Sequence, residues 1–94
     1  MENSNNKTII TVLGHDTVGI IAKVCTYLAE NNSNVLDISQ TIVSGYCNMM
    51  MIVDMTGATV PFSDCAAALE QLGEQIGVAI KCQKEEIFEK MHRI

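Results

Sequence analysis

The residues Gly14-His15-Asp16-Thr17-Val18-Gly19-Ile20 hold most of the chemistry this chain can offer. They join a short apolar strand to an amphipathic helix through glycine, and a junction of that kind presents unpaired backbone N–H groups to a small anion. Asp16 stands where an N-cap is expected, its carboxylate able to accept an N–H two or three residues on. His15, Asp16 and a thiol are residue types from which nucleophilic sites are built. Nothing in the sequence places a cysteine beside His15, so no catalytic residue is assigned. Cys25, Cys47, Cys65 and Cys82 are widely separated, with no Cys-x-x-Cys and no paired histidine spacing. They read as four buried thiols, with no metal site and no cofactor.

Composition narrows the classes further. The 94 residues make one domain, small enough that a second buried surface from a partner would add to its stability. Hydrophobic residues are 48% of the chain but include only two Phe, two Tyr and no Trp, so the core must be aliphatic and rich in Met. The net charge of −5 sets eleven acidic residues against six scattered basic ones, which leaves no basic stripe for direct binding of nucleic acid. No apolar run approaches the roughly 20 residues of a membrane helix. Polar residues from Glu2 to Asn6 stand where a signal peptide would carry positive charge and an apolar stretch, and the expected location is cytoplasmic.

The elements that position the junction follow from pattern. Residues 1–6 read as a frayed lead-in and residues 7–94 as a single domain. Thr8 to Leu13 is β-branched or apolar throughout and predicts a strand, ended by Gly14. Val18, Ile21, Cys25 and Leu28 recur at helical intervals and predict a first helix from Thr17 to Glu30, stopped by Asn31-Asn32-Ser33-Asn34. Val35 to Val43 and Cys47 to Met55 form a hairpin around Ser44-Gly45-Tyr46. Leu36, Ile38 and Ile42 would share one inward face of its first strand, with Val35 and Val43 on the other. Met49 to Val53 lacks polar alternation, so both faces of the next strand should be covered, either by core packing alone or by another subunit. Ser63 is the candidate cap of a second helix, with Cys65, Leu69, Leu72 and Ile76 on one side and Gly77 as its stop. Val78 to Gln83 alternates like an edge strand, and Glu85 to Ile94 predicts a short last helix.

The order strand, helix, strand, strand, helix, strand fits a split βαβ, ferredoxin-like sandwich of the α+β class. Right-handed crossovers place both helices on one face of an antiparallel sheet in the order 4-1-3-2, leaving the opposite face without internal cover.

Gly14 to Ile20 after the first strand, with Asn34-Val35 at the second, resembles the ACT domain, a regulatory module that binds amino acids. Asp37-Ile38-Ser39-Gln40-Thr41, Met49 to Val53 and Ile87-Phe88-Glu89-Lys90-Met91 are similar to small stand-alone bacterial ACT-domain proteins of uncharacterised function. The resemblance implies a homodimer or higher homo-oligomer with ligand held between the first loop of one subunit and the second strand of its neighbour. The implied ligand-binding residues are Gly14, His15, Asp16, Thr17, Val18, Gly19 and Ile20, with Asn34, Val35 and Leu36 from the other chain. Asp16 and Asn34 match polar contact positions, and Gly19 matches a glycine that leaves room for ligand. Thr17-Val18 replaces the family's frequent Arg-Pro, and Gly14 falls where serine-binding members carry His, so no known specificity carries over.

The implied chemistry pairs helix N–H groups with an amino acid's carboxylate and Asp16 with its ammonium, unless Asp16 only caps its helix and Asn34 only shapes a turn. His15 is either a further contact or solvent-exposed. A regulated enzyme or regulator in trans would be the partner. The alternative function is a protein–protein interaction module acting through the sheet face or an edge, with no metabolite.

Overall fold

β1 (Lys7–His15), α1 (Ile20–Glu30), β2 (Asn34–Val43), β3 (Tyr46–Asp54), α2 (Phe62–Ile76) and β4 (Val78–Lys84) follow one another in the computed structural model, which describes residues 6–15 and 19–86. The strands form one antiparallel sheet in the order β2-β3-β1-β4, as the right-handed crossovers require. This is the ferredoxin-like βαββαβ arrangement expected from the element order.

Alternate side chains of the two central strands make the core. Ile10 and Val12 of β1 and Met49, Met51 and Val53 of β3 are each 0% exposed and cluster with Val24 and Leu28 of α1 and Leu69 of α2. Full burial of such a side chain contributes about 1.5–3 kcal/mol. Both helices therefore share one face. α2 lies close on β4 because Gly73 has no side chain: a Cβ there would come within 2.6 Å of the Val78 carbonyl oxygen and 2.9 Å of Ile80 Cγ1.

Several expectations need correction. β1 does not stop at Gly14 but runs on to His15, since Gly14 keeps its pairing with Cys47 and Val78. α1 begins at Ile20 rather than Thr17, and its N-cap is Gly19, in the left-handed region at φ 88, rather than Asp16. α2 begins at Phe62 with Pro61 as N-cap, where the Cys65 N–H donates to the Pro61 carbonyl at 3.1 Å, so Ser63 lies inside the first turn. The hairpin turn is Ser44-Gly45 alone, with φ of 52° and 83° as a type I′ turn requires, and Tyr46 already pairs with Val43 in the ladder. β3 accordingly spans Tyr46–Asp54, and β4 reaches Lys84.

The second strand differs most. A bulge between Val35 and Asp37 inserts Leu36, so Val35 falls on the same face as Ile38 and Ile42 rather than opposite them. That face is not inward along its length: Ile38 is 40% and Ile42 53% exposed, because β2 is an edge strand beyond the cover of α1. On β3, Met50 is 38% exposed and Ile52 half-buried, so only the helix-side face of the Met-rich strand is sealed. Two thiols, Cys47 and Cys65, are buried, while Cys25 and Cys82 are half-buried at the edge of the core. Asn31 ends α1, and Asn32 follows at φ 58 with its side-chain amide donating to the Gly57 carbonyl at 2.9 Å. Glu85 and Glu86 are helical, and the rest of the expected last helix lies outside the described residues.

Two outcomes follow from this packing. Gly73→Ala gains helix propensity but forces α2 off β4, for a net loss of about 2 kcal/mol and a fall of roughly 10 °C in melting temperature, read by circular dichroism. An unchanged midpoint would mean that the helix shifts without cost. Separately, the Thr56 hydroxyl and backbone N–H, at 2.7 and 2.9 Å from Oδ1, hold the Asp54 carboxyl below the usual carboxylate range. The depressed value makes the ionised form the stabilising one. The deficit of Asp54→Ala in urea denaturation is therefore full at pH 7 and shrinks as pH falls below about 4.

Candidate functional site

The strand-to-helix junction is built by Gly14 and His15 at the end of β1 and by Gly19 and Ile20 at the start of α1. Asp16, Thr17 and Val18 lie outside the described residues. Gly14 faces the helix side of the sheet, where an added Cβ would meet Val78 Cγ1 at 2.8 Å, so this position is closed by β4 rather than open to a ligand. His15 projects from the opposite face and stacks on Tyr46, with ring centroids 4.4 Å apart and planes at 28°. Both rings are exposed. His15 therefore sits back to back with the helix N-terminus across the sheet, a relation that the period of two along a strand produces once β1 continues to it.

Gly19 meets no described residue: none lies within 4 Å of a Cβ built there. Its carbonyl accepts the first bond of α1, from the Lys23 N–H at 2.9 Å, so the N–H groups of Ile20, Ile21 and Ala22 precede the intrahelical ladder. No acidic side chain stands in the first turn of α1 to neutralise them. The arrangement is suited to an anionic group at the helix start.

Asn34, Val35 and Leu36 are at the other end of the molecule. Asn34 and Lys7 both pair with Asp54, whereas His15 and Val43 both pair with Tyr46. The two halves of the expected site are thus separated by eight residues of strand, about 26 Å. Within one chain they are not brought together. Asn34 and Leu36 are exposed and Val35 is half-buried against the core.

Cys65 and Cys82 are not activated nucleophiles. Burial, with Cys65 and Glu70 adding to it, pushes the Cys82 thiol up to about 12, and burial raises Cys65 as well. No group of three or more His, Cys, Asp or Glu among the described residues is arranged to hold a metal ion. No helix among them is long and apolar enough to cross a membrane. The sequence reading missed the His15–Tyr46 stack and a groove of about 450 Å³ between the outer faces of α1 and α2. The register of β1 against β3 would have revealed the first; the second depends on how far apart the helices settle, which no local pattern encodes.

Residues 6–83 match the family model described as ACT domain. A UPF0237 protein of Bifidobacterium longum is 66% identical over 89 residues, covering 95% of this chain and 99% of that one. The ACT domain protein from Streptococcus pneumoniae superposes with a TM-score of 0.76 at 38% identity, over 88% of this chain and 93% of that one. The ligand-free regulatory subunit of aspartate kinase from Thermus thermophilus matches with a TM-score of 0.64 at 25% identity, over 86% of this chain and 52% of that one.

Gly19→Ala keeps the fold and loses about 1 kcal/mol, the backbone cost of a left-handed alanine. A loss above about 3 kcal/mol in denaturant titration would place a packing contact at this position instead. Alkylation at pH 7.5 is expected to leave Cys65 and Cys82 unmodified on the timescale in which free cysteine reacts completely, and fast labelling of either would contradict their raised titration.

Proposed function

This chain belongs to the ACT-domain family of regulatory ligand-binding modules, and on that premise we propose that it is a non-catalytic regulatory module that binds an amino acid between two copies of itself. The observation that carries this reading is the division of the site between opposite ends of the sheet. β2 is an edge strand of ten residues, and its far end, at Val43, lies in the same row as Tyr46 and His15. Antiparallel pairing of β2 with β2 of a second copy lays Asn34 of that copy beside Val43. The gap between His15 and the second copy's Asn34 then falls from about 26 Å to three strand spacings, about 14 Å.

In that assembly Gly19 and Ile20, with Asp16, Thr17 and Val18, form the loop side of the site, and Asn34, Val35 and Leu36 of the other copy form its far wall, while Gly14 stays packed against Val78. The amino acid's carboxylate takes the N–H groups at the start of α1, Asp16 takes its ammonium, and Asn34 contributes an amide. His15 faces the other side of the sheet and is left outside the first contacts. Each charge-assisted bond nets roughly 1.5–3 kcal/mol, so three of them, less the cost of association, give micromolar to millimolar affinity. That range suits the sensing of cytoplasmic metabolite pools, with the signal passed to an enzyme or regulator in trans. The resemblance to an aspartate kinase regulatory subunit supports the same class of role.

A second reading, an interaction module with no metabolite, draws on exposed apolar side chains of the sheet face away from the helices, where Leu13 is 56%, Tyr46 51% and Val43 63% exposed. Thermal unfolding against the twenty amino acids separates the two. A ligand at a hundred times its dissociation constant adds about 2.7 kcal/mol, a rise on the order of 10 °C for a domain of this size. Asp16→Ala should abolish that rise. No shift with any amino acid would leave the interaction module standing, and a full shift retained by Asp16→Ala would move the site elsewhere.

A further inference from the structure

The outer faces of α1 and α2 leave between them a groove of about 450 Å³. Small side chains, Ala22 on α1 and Ala68 on α2, line it together with Thr26, and Leu72 and Tyr27 line it as half-buried residues. A groove with small residues on both walls admits a third helix at the usual 8–10 Å interaxial distance. Its charges say which helix. Lys23 lies in the first turn of α1 and Glu30 is its last residue, each at the end of the helix where its sign opposes the helix dipole. Neither forms an ion pair with any described residue.

We infer that this groove receives α1 of a second copy, antiparallel to the first and related to it by a two-fold axis passing close to Thr26. Lys23 and Glu30 are seven residues, about 10.5 Å, apart along the helix, and a two-fold axis midway between them sets Lys23 of each copy opposite Glu30 of the other. Two reciprocal ion pairs result. The antiparallel dipole of the second helix also offers Lys23 a negative end and Glu30 a positive one, reversing the mismatch within the single chain. Each α1 then rests on the α1 and α2 of its partner, with Ala22 and Ala68 allowing the approach and Gln71 and Gln75 at the rim. This contact uses the helix layer, whereas pairing through β2 uses a sheet edge. The two contacts use different surfaces of the chain.

Sedimentation equilibrium at low ionic strength tests this with Lys23→Glu and Glu30→Lys, both at exposed positions and both checked for native helicity by circular dichroism. Each single variant sets like charges against each other twice. The helix-layer contact should weaken about tenfold or more, halving the mass relative to wild type at matched concentration. An equimolar mixture of the two variants forms two opposite-charge pairs and should recover the wild-type mass, which neither variant reaches alone. Added salt should lower the wild-type mass towards that of the variants. A wild-type mass unchanged by either substitution, a mixture that stays at the lower mass, or a wild-type chain that is monomeric throughout would each overturn the inference.

Discussion

Ile10 and Val12 on β1 lie against Met49 and Met51 on β3, and α1 and α2 press Val24, Leu28 and Leu69 onto that strip. Everything else in the molecule is arranged around this contact. Two helices are wide enough to seal β1, β3 and β4 but not the strand beyond β3, so β2 carries Ile38 and Ile42 of its helix-side face into solvent, and Val43 is exposed on the other face, which no helix covers. In an isolated domain those side chains would be a hydrophobic liability on an unpaired edge. A chain that meets copies of itself turns the same feature into an assembly surface.

The strand order also divides the proposed site between two ends of the sheet. The loop after β1 and the start of β2 lie at opposite ends of the sheet because β1 and β2 run in the same direction, separated by β3. No rearrangement within the fold brings them together. In the proposed assembly a second chain running the other way shortens the gap, so the geometry that scatters the residues in the monomer is what a pair of chains would use.

What was legible in the sequence was local. The Ser44-Gly45 turn, the asparagine stop after α1 and the Cys65, Leu69, Leu72, Ile76 stripe each depend on neighbours within a turn or two. The element order then left few topologies, and the sheet order followed. What was not legible depended on distant partners. Gly14 resembled a terminator because its reason for being glycine, the side chain of Val78, lies on the last strand. The bulge at Leu36 exists only in the register with β3, and it moved Val35 to the other face. Asp16 was favoured as a cap by side-chain chemistry, whereas the N-cap position of α1 is taken by Gly19 in the left-handed region. Hydropathy likewise cannot distinguish an apolar edge strand from an apolar central one.

The strand order has a consequence for how the chain assembles as it is made. β2 and β3 close through a two-residue turn, β1 has already emerged to lie beside β3, and α1 covers them, yet one flank of β1 remains unpaired until residues 78–84 leave the ribosome. The last strand to be synthesised fills the slot beside the first, drawing α2 down with it through the close approach at Gly73. Its pairing spans most of the chain's length, the most costly kind of contact in loop-closure entropy and the slowest to form. A nascent chain halted before β4 would thus expose β1, an interior strand of the complete sheet, as an apolar edge, and the arrival of β4 replaces that edge with its own, in which Ala79, Lys81 and Gln83 alternate with the core residues.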